Sequence, residues 1–322
     1  MRRTAEQYVL KNYLVIAQGE DVIMCKKVLI TGAQGFIGSK MLELFTDKGY
    51  KTFGWGRENM ENVESLDMLD ESAVITMLDQ TQPDIIVHCA GAADVGKSVL
   101  YPETDYAGNV TITHNLLFAL HKLHIEHTRV VFLSSAGVYG NPEKLPITED
   151  MPVNPLSPYA LHKVMCEDMC WYFVRNYGMN IKIARIFSAY GAGLRKQIFW
   201  DMYKKAKNVG KLEMFGTGQE SRDYIHIDDV AQALYLLATT KSNDVVFNVA
   251  NGEEVTIRQA TDIFAKCSGV PTENISFNGV TREGDPLNWR ADISRIKKLG
   301  YKMTVDMLDG LRQYVEWVTE KG

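Results

Sequence analysis

The chain has 322 residues, 46% of them hydrophobic and 23% charged. That globular balance excludes long disorder, collagen-like repeats and low complexity. Lys and Arg number 35 against 40 Asp and Glu, a net charge of −5; with no basic block this is a poor partner for nucleic acid, and no run approaches the ~18 apolar residues of a membrane span.

Met1–Asp21 stand before the first convincing strand. The apolar run Tyr13–Ala17 is too short for a signal peptide, and Gln18-Gly19-Glu20-Asp21 follows it. Residues 1–25 read as an extension, with Met24 as the natural start or the first ~20 residues as a loosely held appendage.

From Lys27 onward, strand-sized apolar runs alternate with helix-period segments. The pattern predicts strands at Lys27–Thr31, Lys51–Trp55, Val63–Asp67, Asp84–Ala90, Val130–Ser134 and Ile181–Ile186. It predicts helices over Ile37–Lys48, Glu71–Gln80, Tyr106–His121 and Tyr159–Tyr177. Such alternation makes an α/β fold, a doubly wound parallel sheet covered on both faces. After Phe187 the alternation becomes irregular. Helices are expected over Phe199–Lys207, over Val230–Ala238 with Asp229 as its cap, and to Ser268 from the capping box Thr256-Ile257-Arg258-Gln259. The last helix is expected over Val305–Thr319, with a short strand at Lys211–Phe215. Tyr224–Ile227 and Val245–Val249 are expected to return to the main sheet. The organisation is a Rossmann dinucleotide domain over 26–186, with 224–250 returning to it. A smaller C-terminal substrate-binding lobe follows from 187–223 and 251–322.

The five cysteines (Cys25, Cys89, Cys166, Cys170, Cys267) form no even disulfide framework, which points to a reducing cytoplasm. Cys166 and Cys170 share a helix face and read as buried thiols. No His or Cys spacing suits a structural zinc, and no metal is expected.

Thr31-Gly32-Ala33-Gln34-Gly35-Phe36-Ile37-Gly38 follows a strand and opens a helix. Glycines in such a turn let backbone approach a pyrophosphate, and the helix N-terminus supplies N–H donors and positive potential. The spacing is G-x-x-G-x-x-G, so the strand–turn–helix context carries much of the reading.

Further segments share an order with this turn: His88-Cys89-Ala90-Gly91-Ala92, Val95-Gly96-Lys97-Ser98, Asn109, Ser134-Ser135-Ala136-Gly137-Val138-Tyr139-Gly140, Tyr159-Ala160-Leu161-His162-Lys163, Arg222-Asp223-Tyr224-Ile225-His226 and Arg282-Glu283-Gly284-Asp285-Pro286. Together they resemble the extended short-chain dehydrogenase/reductases, specifically the nucleotide-sugar epimerase/dehydratase group, over about Lys27–Gly300. The resemblance implies a cofactor site at Gly32, Gln34, Gly35, Phe36, Ile37, Gly38, Asp67, Met68, Ala90, Gly91, Ala92 and Asn109, completed by Tyr159 and Lys163. It implies catalysis by Ser135, Tyr159 and Lys163. Ser135, Ser188, Arg222 and Arg282 would contact substrate, although the family usually has Asn where Ser188 stands.

These residues suit the chemistry. Tyr159 and Lys163 are four apart and share a helix face. A phenol, with a reference pKa near 10, is a poor base at neutral pH, and a nearby ammonium favours the phenolate. Tyr159 then exchanges a proton with a sugar oxygen that Ser135 orients, while a nicotinamide exchanges a hydride. Guanidinium groups at Arg222 and Arg282 offer paired donors to a diphosphate. His88 and His226 lie in strands and read as structural.

The family's 4,6-dehydratases carry Asp-Glu after the catalytic Ser or Thr. Here Ala136-Gly137 stand there and move no proton, which disfavours dehydration. The remaining reactions at C4 of a nucleoside-diphosphate hexose are 4-keto-6-deoxy reduction and 4-epimerisation. Arg57 ends the second strand where NAD enzymes usually place an acid. An arginine there accepts a 2′-phosphate, so NADP is favoured over NAD and the reading leans to the reductase. The NAD-dependent epimerase is the alternative, and a non-catalytic dinucleotide sensor a remote one, because Tyr159 and Lys163 are both kept. The expected partners are a nucleoside-diphosphate sugar and a second copy of the chain, through helices Tyr106–His121 and Tyr159–Tyr177.

Overall fold

The computed structural model describes residues 26–280 and 287–321. The expected N-terminal extension, residues 1–25, and Arg282 lie outside them. The strands are β1 (Lys27–Thr31), β2 (Lys51–Gly56), β3 (Val63–Ser65), β4 (Ile85–His88), β5 (Arg129–Ser135), β6 (Ile181–Ile186), β7 (Ser188–Tyr190), β8 (Leu212–Met214), β9 (Ser221–Arg222), β10 (Tyr224–His226), β11 (Val246–Val249), β12 (Val255–Thr256) and β13 (Ile275–Phe277). The helices are α1 (Phe36–Asp47), α2 (Glu71–Thr81), α3 (Val95–Leu100), α4 (Pro102–Tyr106), α5 (Ile112–Lys122), α6 (Pro158–Tyr177), α7 (Gln197–Val209), α8 (Ile227–Thr239), α9 (Ile257–Ser268), α10 (Ser294–Lys298) and α11 (Met307–Lys321).

Seven strands form one sheet in the order β11-β6-β5-β4-β1-β2-β3, all paired in parallel. Side-chain alternation divides its two faces. Val28 and Ile30 pack with Phe45 of α1 and Leu234 of α8 on one side. Leu29 and Ile86 pack with Leu78 of α2, Leu116 of α5 and Phe173 of α6 on the other. Both faces are therefore covered, which explains the near-continuous apolar strands. A separate core of Tyr190, Phe199, Phe264 and Tyr314 gathers α7, α9 and α11, joined by two-stranded sheets.

The capping box of α9 is present: Thr256 accepts from Gln259 N–H, and the Gln259 amide oxygen accepts from Thr256 N–H. Three local expectations are corrected. Val246–Val249 does return to the main sheet, but β10 does not. It pairs with β7, Tyr224 opposite Ser188, because β11 already takes the free edge of β6. Helix α8 begins three residues earlier than expected, with His226 as its cap. Asp229 instead lies inside the helix and accepts from Thr304 N–H at 2.8 Å. The helix expected from Tyr106 is interrupted by a π-turn, Ala107–Thr111, which carries Asn109.

Candidate functional site

Parallel strands end together, so the loops after β1, β4, β5 and β6 converge. They form one wall of a cleft of about 930 Å³, whose other wall comes from α7, β9 and the 287–289 segment.

The glycine turn lies at its base. Gly32 has φ +65°, and a Cβ there would stand 2.7 Å from Ala90 N. A Cβ on Gly38 would stand 2.1 Å from the Gly32 carbonyl oxygen. Only glycine lets β1, β4 and α1 meet this closely. Gly35 caps α1 with no side-chain acceptor, and no acid stands in the first turn. The leading N–H groups of α1 are thus left for an anion, and Gly35, Phe36, Ile37 and Gly38 line the cleft. This uncapped cradle fits the diphosphate of a dinucleotide.

Other cofactor candidates divide. Gly91 and Ala92 line the cleft; Ala90 N–H donates to Thr31 Oγ1 at 3.1 Å behind it. Asn109 is buried, its Nδ2 donates to the Asp105 carbonyl at 3.1 Å, and its Oδ1 has no partner. Gln34 fastens the end of β2: Oε1 accepts from Arg57 N–H at 2.8 Å, and Nε2 donates to the Glu58 carbonyl at 2.8 Å. Arg57 is exposed. Asp67 Oδ1 accepts from Leu69 N–H at 2.9 Å, and the Met68 carbonyl accepts from Asn115 at 2.9 Å. Gln34, Arg57, Asp67 and Met68 lie outside the lining of the cleft.

Ser135, Tyr159 and Lys163 share its wall. Helix α6 starts with Ser157 accepting from Ala160 N–H at 3.2 Å and Pro158 in the first turn. Tyr159 N–H donates to Ser98 Oγ at 3.1 Å, which ties α6 to α3. One turn on, Lys163 is buried. Its ammonium donates to the Leu133 carbonyl at 3.0 Å and stands 5.9 Å from the Tyr159 ring centre. Ser135 Oγ accepts from Gly137 N–H at 3.1 Å. A Cβ on Gly137 would lie 3.3 Å from Ser135 Oγ and 4.0 Å from Tyr159 Cε1. The serine and the tyrosine therefore flank one small space, and Gly137 keeps it open.

Behind them stands a buried polar network that sequence reasoning missed. Glu167 accepts from Ser134 Oγ at 2.5 Å and from Arg185 Nε and Nη2 at 3.0 and 2.6 Å. It clamps α6 to the ends of β5 and β6. Its signal was the spacing 159, 163, 167, one helix face. His88 is structural: Nδ1 bonds Thr31 Oγ1 at 2.7 Å and Nε2 bonds Thr113 Oγ1 at 3.2 Å. Burial, with the Lys163 charge beside it, pushes the imidazole down to about 3.

Ser188, just after β6, and Arg222, on the opposite wall, line the cleft. Arg222 Nη1 donates to the Ser221 carbonyl at 2.8 Å, and the guanidinium lies 5.8 Å from the Trp289 ring centre. Trp289 Nε1–H donates to the Gly140 carbonyl at 3.0 Å and bridges the two walls. Asp223 accepts from the N–H groups of Asn251, Gly252 and Ala291 at 2.9, 2.9 and 3.0 Å. Burial outweighs those donors and pushes its carboxyl up to about 7. Among the described residues no group of three or more His, Cys, Asp or Glu is placed to hold a metal ion.

Residues 28–250 match the NAD dependent epimerase/dehydratase family. The chain belongs to that family. It is 31% identical over 308 residues to a putative UDP-glucose 4-epimerase of Methanocaldococcus jannaschii, covering 90% of this chain and 98% of the relative. The fold superposes on UDP-glucose 4-epimerase of Thermotoga maritima with UDP-glucose at a TM-score of 0.83, with 26% identity, covering 91% of this chain and 99% of that one. It matches the Thermus thermophilus UDP-glucose 4-epimerase complex with NAD at 0.82, again with 26% identity, covering 92% of this chain and 100% of that one. As a member of the epimerase/dehydratase family, this protein is an enzyme.

Proposed function

We propose that the protein is a nucleotide-sugar 4-epimerase that keeps NAD bound and acts on a UDP-hexose. The observation that carries this reading is the pairing of Ser135 and Tyr159 across Gly137. That space holds groups for proton exchange with one sugar oxygen and, among the described residues, Ala136 and Gly137 in place of carboxylates for elimination. Kinship with UDP-glucose 4-epimerases over nine-tenths of the chain favours epimerisation over the reductase reading.

Lys163 stands one helical turn from Tyr159, its ammonium 5.9 Å from the ring centre. Tyr159 takes the proton of the sugar 4-hydroxyl and returns it, and Ser135 orients that oxygen. When bound there, NAD would supply the hydride acceptor and donor for C4 of the sugar. Arg222 and Arg282 grip the diphosphate. The N-terminus of α1, Gly91, Ala92, Asn109 and Lys163 hold the dinucleotide. We take NAD rather than the NADP expected from Arg57, because a similar epimerase is solved in complex with NAD and Glu58 follows Arg57 in the chain.

The test is direct. Purified protein is denatured and the released dinucleotide identified; native protein is then given UDP-glucose with no added cofactor. Release of NAD and formation of UDP-galactose are expected. Protein that is empty of dinucleotide and turns over only with NADPH consumption would overturn the reading in favour of a reductase.

We further infer a homodimer. Leu161, Met165 and Tyr172 of α6 and Phe118 of α5 are exposed together with Leu100 and Tyr101, the last two at 70% and 57%. Such an apolar face suits a second copy; a monomer mass by light scattering at micromolar concentration would refute it. The cytoplasm suits the free thiols of Cys89, Cys166, Cys170 and Cys267. Among the described residues no helix is long and apolar enough to cross a membrane.

A further inference from the structure

Asp105 and His162 have no part in the site described so far. Asp105 lies in α4, and His162 stands between Tyr159 and Lys163 on α6. His162 Nδ1 and Asp105 Oδ2 are 2.6 Å apart, with side chains 9% and 4% exposed. A carboxylate accepting from an imidazole N–H in so dry a place is a strong, directional bond. The Tyr106 ring stands edge-on to the imidazole, 5.4 Å between centres.

The partners of this pair lead to the dinucleotide wall. On one side, the Asp105 carbonyl accepts from Asn109 Nδ2 at 3.1 Å. The π-turn that follows Asp105 docks on the loop after β4, where Ala92 N–H donates to the Gly108 carbonyl at 3.1 Å. On the other side, His162 directly precedes Lys163. The two arms meet at Gly91: a Cβ there would stand 2.9 Å from Asn109 Oδ1 and 3.4 Å from Lys163 Nζ. Asn109 Oδ1 is a buried acceptor without a partner. A π-turn breaks the regular ladder of a helix and is commonly found at functional sites. Here the buried pair fixes its leading edge to the catalytic helix.

We propose that Asp105 and His162 are a positioning pair that holds Asn109 and Lys163 against the Gly91 loop and thereby sets the grip on the dinucleotide. The proposal rests on the reading of this cleft as a dinucleotide site. It assigns the pair no contact with the reacting atoms.

The test compares dinucleotide affinity in the full-length protein, stripped of cofactor and titrated with NAD and with NADP. His162→Ala and Asp105→Ala should each weaken binding by about tenfold, the equivalent of 1.4 kcal/mol, with far-UV circular dichroism unchanged. His162→Asn keeps an N–H toward Asp105 and should stay within about threefold of wild type. The double alanine variant should be no weaker than either single one, because one bond is lost in all three. Sugar-nucleotide KM should move less than kcat. Alanine variants that bind like wild type would overturn the pair. So would His162→Asn failing as badly as His162→Ala, or losses that add in the double variant. Should the alanine variants not fold, Asp105→Asn carries the test: weakened binding with the melting temperature kept supports the pair, and unchanged affinity overturns it. Wild-type protein that binds NAD without interconverting epimers would refute the epimerase reading alone and leave this comparison intact.

Discussion

Glu167→Ala is the sharpest test of how the catalytic helix is held. Glu167 and Arg185 side chains are 5% and 7% exposed. Burial opposes the charge on Arg185, but the hydrogen bonds and charge of Glu167 outweigh it and raise its pKa above the ordinary value. Removing the carboxylate leaves the guanidinium with the Glu149 carbonyl at 3.1 Å and the Tyr139 ring at 4.7 Å. Neither carries a compensating charge. Breaking a buried pair from one side costs about 3–5 kcal/mol, and stranding the Ser134 hydroxyl adds about 1 kcal/mol. An overall loss of about 5 kcal/mol follows. With an m-value of about 3 kcal/mol/M, the urea midpoint should fall by about 1.7 M. A paired Glu167→Met, Arg185→Met variant should recover most of that loss, since apolar residues of similar volume remove both charges together. A single variant that loses less than about 1 kcal/mol, or a double variant worse than the single, would refute the reasoning.

Other perturbations separate chemistry from scaffold. Tyr159→Phe should cut turnover by about 10²–10⁴-fold with dinucleotide content and melting temperature kept; near-normal kcat would end its assignment as the proton carrier. Gly38→Ala places a methyl 2.1 Å from the Gly32 carbonyl oxygen, so soluble yield or dinucleotide content should collapse. A variant with wild-type NAD content would show that the turn yields. Asp223 titrates near 7 when folded, above its ordinary 3.8, so the folded state binds the proton more tightly. Its stabilising contribution is full below pH 4 and is lost as pH rises to about 7, on the order of 4 kcal/mol. Asp223→Asn should flatten the fall in stability between pH 4 and 7. Equal slopes for the two proteins would refute that assignment.

The main sheet was legible because apolar strands of β1, β4, β5 and β6 carry no competing signal. The glycine turn and the Tyr159–Lys163 spacing were legible because a close backbone approach and a shared helix face constrain residue type directly. Long-range pairing was not. Nothing within Tyr224–His226 says that β11 will take the edge of β6 first; that competition is settled between segments some twenty residues apart. The partners of buried charge were hidden for the same reason. Glu167 shows its helix face in the spacing, but Arg185 and Ser134 reach it from two other strands. Asp105 meets His162 across 57 positions of chain. Arg57 is the opposite case, a local cue whose reading depends on its neighbours. Its N–H is taken by Gln34, and its charge stands beside that of Glu58. A strand-end arginine signals a 2′-phosphate only where its charge is unopposed. The dinucleotide that the protein releases decides whether that condition or the cue itself governs here.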